Sequence, residues 1–120
     1  SNGFYKTFIY CTSLVYMPAM LFANNTACTS WYYCFYGCNK LTEKEEVFYH
    51  YSDADSTSRF AGKTIDFTKM FQLSNTFTGT QGKAQRLWNA TYGSVTSTQC
   101  WNLHSSSSLS NYADIPAGWK

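Results

Sequence analysis

The sequence predicts an all-β chain, an antiparallel meander closing as a small barrel, with a β-sandwich as the alternative. Three observations carry this. Apolar and polar residues alternate along most of the chain with a period of two, not the 3.6 of a helix. Between the alternating runs lie "NNTACT", "SDADSTS", "TGTQG" and "SSSSLSN", which have the polar, turn-forming composition of loops. Aromatic residues make up 19% of the chain and charged residues only 13%, so the 120 residues have rings enough for one core or one lined cavity and form a single domain, 1–120.

The elements follow in order. Residues 4–16 read as the first strand, and "SWYYCFY", 30–36, as the second, with Trp31, Tyr33 and Phe35 on one face and Tyr32, Cys34 and Tyr36 on the other. In "KLTEKEE", Thr42 and Glu45 have the spacing of a capping box, so a helical turn precedes the next strand, and Glu43, Lys44, Glu45 and Glu46 read as a solvated surface turn. Residues 45–51 form a strand in which Val47, Tyr49 and Tyr51 alternate with Phe48 and His50. The hairpin "SDADS", carrying Asp53 and Asp55, leads to a strand at 63–73. No internal repeat is evident.

Residues 85–92 and 95–103 read as a hairpin turning at Gly93-Ser94. In that register Tyr92 faces Val95, Trp88 faces Gln99, Arg86 faces Trp101 and Leu87 faces Cys100. A glycan on Asn89 must point outward, which turns Arg86, Trp88, Tyr92 and Trp101 inward and Cys100 outward. Without that glycan the faces are reversed. The tail "SSSSLSNYADIPAGWK" is expected to pack back on the body, because Tyr112, Ile115 and Trp119 give it rings and a branched side chain to bury.

Composition excludes several classes. A net charge of +2 with no run of Lys or Arg argues against nucleic acid. No stretch reaches the roughly 20 apolar residues of a membrane span; "LVYMPAMLFA" is too short and contains Pro18. Five cysteines, Cys11, Cys28, Cys34, Cys38 and Cys100, suggest up to two disulfides of unknown pairing and one thiol left over, available for a dimer. With the sequons at Asn24 and Asn89 they point to a secreted, extracellular chain, and the start "SNGFYK" reads as a trimmed mature end with Ser1-Asn2 as a remnant of cloning.

Catalytic motifs are weak. Cys34 and Cys38 are spaced CxxxC and not CxxC, and His50 and His104 lack a partner three to five residues away, so neither redox chemistry nor a metal site is expected. A nucleophile assembled from Cys34, His50 and Asp53 has no elbow or oxyanion turn around it, and the acidic residues, Asp66 among them, form no glycosidase pair. The expectation is a non-enzymatic chain without cofactors. What remains is the aromatic density, which suits an amphipathic small molecule, a protein interface, or simply a packed core.

One stretch, "NKLTEKEEVFYHYSDADSTSRFAGKTIDFTKMF", followed by "STQCWNL" and "YADIPAGWK", resembles the tick salivary lipocalins, the group that includes histamine-binding proteins. The chain would be an abbreviated or divergent member, shorter than the family and beginning at its first strand. The resemblance implies a lipocalin barrel that scavenges small host mediators such as amines or lipids, or an outer surface that blocks a host protein. Two functions follow. In the first, Trp31, Tyr33, Phe35, Tyr49, Arg86, Trp88, Tyr92 and Trp101 line a barrel that carries a small hydrophobic or amphipathic ligand. In the second, the chain binds a host or partner protein through exposed Tyr and Trp and has no cavity.

Overall fold

Four eight-residue segments set the architecture: "FYKTFIYC" from residue 4, "WYYCFYGC" from 31, "FTKMFQLS" from 67 and "STQCWNLH" from 97. Each folds as tight turns closed by bonds from an amide N–H to the carbonyl three residues back, such as Cys34 to Trp31 and Cys38 to Phe35. The third residue of the turn has positive φ, as in a type II turn: Lys6 53°, Tyr10 57°, Tyr33 57°, Gly37 77°, Lys69 51°, Gln99 52° and Leu103 65°. Six of these positions are not glycine, so each carries a left-handed strain that stacking must offset. In the third segment Ser74 departs from the pattern. Its N–H donates at 3.0 Å to the side-chain oxygen of Asn39.

The computed structural model describes residues 3–42, 44–50 and 59–120. In it the four octets lie on top of one another, all running the same way. Phe4, Lys6, Phe8 and Tyr10 donate their N–H groups to the carbonyls of Ser30, Tyr32, Cys34 and Tyr36 at 2.7–3.0 Å. Trp31, Tyr33, Phe35 and Gly37 donate to Asp66, Thr68, Met70 and Gln72 at 2.8–3.0 Å. Phe67, Lys69, Phe71 and Leu73 donate to Thr96, Thr98, Cys100 and Asn102 at 2.8–3.2 Å. Every backbone bond between octets therefore points from the earlier turn to the later one. The chain is a short solenoid of four coils, in which each coil contacts its neighbours and the core is continuous along the stack.

Just before the octets a parallel row runs through Gly3, Ser30 and Asp66. Strand β1, Thr64–Asp66, pairs in parallel with strand β2, Ser94–Thr96, in the register Thr64 to Ser94, Ile65 to Val95 and Asp66 to Thr96. On the far side of the coils, Lys44 bridges Ala84 and Gly82 bridges Leu109, again in parallel. There the amide side chains replace backbone ladders. Gln85 accepts from the Phe48 N–H at 2.8 Å and donates to the Tyr49 carbonyl at 2.7 Å, while Asn111 pairs both backbone groups of Ala84 at 2.8 and 2.9 Å.

This overturns the antiparallel meander, the barrel and the sandwich: among the described residues the strands are two, three residues each and parallel. The lipocalin barrel that the resemblance implied goes with them. The hairpin at Gly93-Ser94 does not form either. Leu87–Asn89 is a 3-10 turn, the N–H groups of Gly93 and Ser94 both donate to the Lys63 carbonyl, and the segment that follows pairs with β1. The expected helical turn after Thr42 gives way to a cross-coil contact, with the Thr42 hydroxyl donating to the Val15 carbonyl at 3.1 Å. Lys44 is buried, its ammonium donating to the Leu41 carbonyl and lying 5.2 Å from the Phe77 ring centre, and is no part of a solvated turn. Glu43, Tyr51, Asp53, Asp55 and the hairpin "SDADS" lie outside the described residues.

The tail does pack back. It forms the 3-10 turns Tyr112–Asp114 and Ala117–Trp119, buries Ile115 and Trp119, and closes the last coil when the Trp101 N–H donates to the Trp119 carbonyl at 2.8 Å.

Candidate functional site: an outward tyrosine and lysine face

Side chains divide along each octet by the turn geometry. From the second octet on, the fourth and fifth positions point in, joined by the first in the second and third octets, so Trp31, Cys34 and Phe35, Phe67, Met70 and Phe71, and Cys100 and Trp101 are all buried, whereas Thr7 of the first octet is exposed. Equivalent rings of successive coils then stack face to face. Phe8 lies on Phe35 (5.1 Å between centres, 9° between planes), Phe35 on Phe71 (5.4 Å, 4°) and Phe71 on Trp101 (4.3 Å, 3°). The indole N–H groups of Trp31 and Trp101 have no partner among the described residues, so these rings are placed for stacking and not for hydrogen bonding.

Second, third and sixth positions point out, except for the buried Gln72 of the third octet. On the first two coils they form a patch of tyrosines: Tyr5 stacks on Tyr32 (5.1 Å, 3°), Tyr32 meets Tyr33 (4.2 Å), Tyr33 stacks on Tyr36 (5.0 Å, 23°) and Tyr36 meets the edge of Tyr10 (5.4 Å, 87°). Two lysines flank it. Lys6 lies 5.1 Å from the centre of Tyr5 and 5.5 Å from that of Tyr33, and Lys69 lies 5.3 Å from Tyr33 on the other side. Hydrogen bonding to Lys69, and then to Tyr32, holds the Tyr33 phenol below its ordinary pKa. The bond to Tyr33 raises Tyr32, and Tyr36 is raised by burial and by Tyr10. Tyr33 is thus the acceptor of the cluster, and Tyr5 and Tyr10 stand more than half exposed.

The residues expected to line a ligand pocket are distributed between core and surface. Trp31, Phe35, Tyr49 and Trp101 are buried in the core. Tyr33 faces out with the tyrosine patch. Trp88 and Arg86 are half-buried, Trp88 meeting Trp119 edge to face at 6.3 Å. Tyr92 stacks on Phe60 at 5.2 Å, and its hydroxyl donates to the Leu87 carbonyl at 2.6 Å. The eight thus do not converge on one wall among the described residues. A cleft lined by Met17, Pro18, Ala19, Glu45 and Glu46 holds about 60 Å³, far below the roughly 300 Å³ at which small-molecule sites begin.

All five cysteines are free thiols. Cys34, Cys38 and Cys100 are buried, and the Cys38 thiol is pushed up to about 12 by that burial, with Cys34 and Cys100 raised for the same reason. Such thiols stay protonated at neutral pH and act as small apolar groups. Cys100, expected to point outward, is fully buried because the fourth place of its octet turns inward, and Cys34 at the same place in the second octet faces the core as well. Cys11 is exposed, as are Asn24 and Asn89 of the two sequons. His50 is exposed and pairs with Glu46 at 3.4 Å. Among the described residues no three His, Cys, Asp or Glu side chains come together as metal ligands.

Sequence reasoning passed over Arg59 and gave His104, tested only as a metal ligand, no structural role. Arg59 donates to the carbonyls of Phe22 and Ala23 at 2.6 Å and of Asn25 at 3.1 Å, and stands over the rings of Phe48 and Phe60, so it locks the end of the first coil to the end of the second. His104 bonds the Phe71 carbonyl at 2.8 Å and the Ser108 hydroxyl at 2.9 Å. Both serve the stack. No helix of the described residues is long and apolar enough to cross a membrane.

Fold and site together define a short parallel solenoid with a filled aromatic core and a tyrosine-rich outer face. Comparison with family models, with curated proteins and with solved structures finds no match.

Proposed function

We propose that this chain is a non-enzymatic binding module that engages a partner protein with the outward face of its first coils. The observation that carries the proposal is the patch in which Tyr5, Tyr32, Tyr33, Tyr36 and Tyr10 interlock across two coils between Lys6 and Lys69. Tyrosine offers a large, stiff contact area with a hydrogen-bonding tip and loses little entropy on binding, which is why it is enriched at protein interfaces. The lysines favour a partner with an acidic surface, and the rings stacked from Phe8 to Trp101 support a filled core over an enclosed ligand.

The test is a comparison of the parent with a Tyr32→Ser, Tyr36→Ser, Lys69→Ser variant across an array of purified proteins, small lipids and amines. Binding to one or more acidic proteins that weakens at least about tenfold in the variant, as loss of a tyrosine hot spot does, supports the reading. An enclosed lipid or amine found by native mass spectrometry, or protein binding indifferent to the three substitutions, refutes it.

A further inference from the structure

Third positions of successive octets stand in one column across the coils. The N–H groups of Lys6, Tyr33 and Lys69 donate to the carbonyls of Tyr32, Thr68 and Thr98, so the three residues are in register, and each has positive φ. Successive coils lie about 4.8 Å apart, as neighbouring strands do, which sets Lys6 and Lys69 about 10 Å apart with the Tyr33 ring between them. The phenols beside the column direct their protons outward. Tyr32 donates to Tyr33, which also accepts from Lys69, and Tyr36 donates to Tyr10, so the hydroxyl hydrogens of Tyr33 and Tyr10 remain for a ligand. Asp66 acts on Tyr32 from the side of β1, where its Oδ1 accepts from the Thr68 N–H at 2.9 Å, and so steers a negative group away from Tyr32 and onto the lysine column.

We propose that this column binds an acidic polyproline II segment of the partner, lying along the stack, with carboxylates three residues apart on Lys6 and Lys69 and backbone carbonyls accepting from the hydroxyls of Tyr33 and Tyr10. The inference rests on the partner-protein reading above and names the element that the partner presents. Spacing and hydrogen bonding select it together. A polyproline II helix turns once in three residues and rises about 3.1 Å per residue, so side chains at i and i+3 share one side at about 9 Å, close to two coil spacings. A β-strand places residues of one face about 7 or 13 Å apart, which matches neither lysine pair distance nor ring. An α-helix reaches the distance over two turns, but its carbonyls are already bonded within the helix and leave the phenols without acceptors. Polyproline carbonyls have no internal partner, proline rings pack flat on tyrosine, and the segment arrives already ordered.

Fluorescence anisotropy of a labelled (Glu-Pro-Pro)4 peptide with the whole chain provides the test. Saturable binding is expected, at least about tenfold tighter than for an isomer of the same composition with its glutamates gathered at one end. An alanine-rich helical peptide with glutamates seven residues apart should also bind at least about tenfold more weakly. Lys6→Gln and Lys69→Gln should each weaken binding several-fold and narrow the gap between the two proline isomers, whereas Lys83→Gln, beside the Gly82 bridge on the far side of the coils, should not. Tyr33→Phe keeps the ring and removes the hydroxyl, so it should weaken binding a few fold while leaving the urea midpoint in place. Equal affinity for the two proline isomers, tighter binding of the helix, or no binding up to millimolar peptide would each overturn the proposal. The partner-protein reading survives any of these results if acidic proteins still lose affinity in the Tyr32→Ser, Tyr36→Ser, Lys69→Ser variant, and falls with the proposal if they do not.

Discussion

His104 shows how much one side chain contributes to joining two coils. Its ring is buried between the Phe71 carbonyl and Ser108, and that burial, with the nearby positive Lys44, depresses its pKa to about 3. A histidine with a folded value below its unfolded one stabilises the fold fully above about pH 6.5 and loses that stability as pH falls toward the folded value. Chemical denaturation should therefore show a loss of about 2 kcal/mol between pH 7 and 5, a window above most carboxylate titration, and His104→Gln should flatten that slope. An unchanged slope would mean that the ring is protonated in place. Gln85 is a second such residue. Its amide satisfies the buried backbone of both Phe48 and Tyr49, so Gln85→Ala should cost about 2–4 kcal/mol, read from the shift in urea midpoint, because two buried groups lose partners that water cannot replace. With all five thiols unbonded, the cysteine count carries no argument about compartment.

At the scale of the element, the octet is held by its ring ladder and by its positive-φ turns. Phe35 sits mid-ladder between Phe8 and Phe71, so Phe35→Ala should destabilise by about 3–5 kcal/mol in urea, whereas Phe8→Ala at the open end should cost clearly less. Equal losses at the two positions would mean that stacking along the coils does not set the ladder's energy. The octet also explains what the sequence disclosed. Trp31 and Phe35 were legible as inward residues because positions i and i+4 share a face both in a strand and in this turn. Tyr33 and Cys34 were not, because the left-handed residue at the third position turns the period of two into inward positions at one, four and five. The turn therefore sends Tyr33 out and Cys34 in. The repeat escaped notice for a related reason: the octets keep their length, but they begin at residues 4, 31, 67 and 97, and no fixed period links them. Aligned, they share an aromatic ring at the fifth place and Cys, Ser or His at the eighth. The tail was legible because Ile115 and Trp119 had nothing else to pack against.

For the whole molecule, the buried thiols report on the integrity of the stack. A disulfide-exchange reagent applied to the native chain should modify Cys11 quickly and leave Cys34, Cys38 and Cys100 untouched until denaturant unfolds the protein. Because a stack this short has few coils to lose separately, the thiols of the second and fourth coils should appear in one transition. Early release of Cys100 would instead mean that the tail lifts on its own. The one-way hydrogen bonds have a further consequence, concerning orientation in an electric field. In an ordinary sheet the peptide dipoles largely cancel, but along the wall of octets the backbone groups that join the coils all point along one axis, while elsewhere bonds such as Asp66 to Thr29, Thr42 to Val15 and Gln85 to Lys44 run the other way, so the net dipole belongs to that wall alone. A charged surface would then feel one wall of the molecule as a dipole lying along the stack, with the rest, its bonds running both ways, adding little to it.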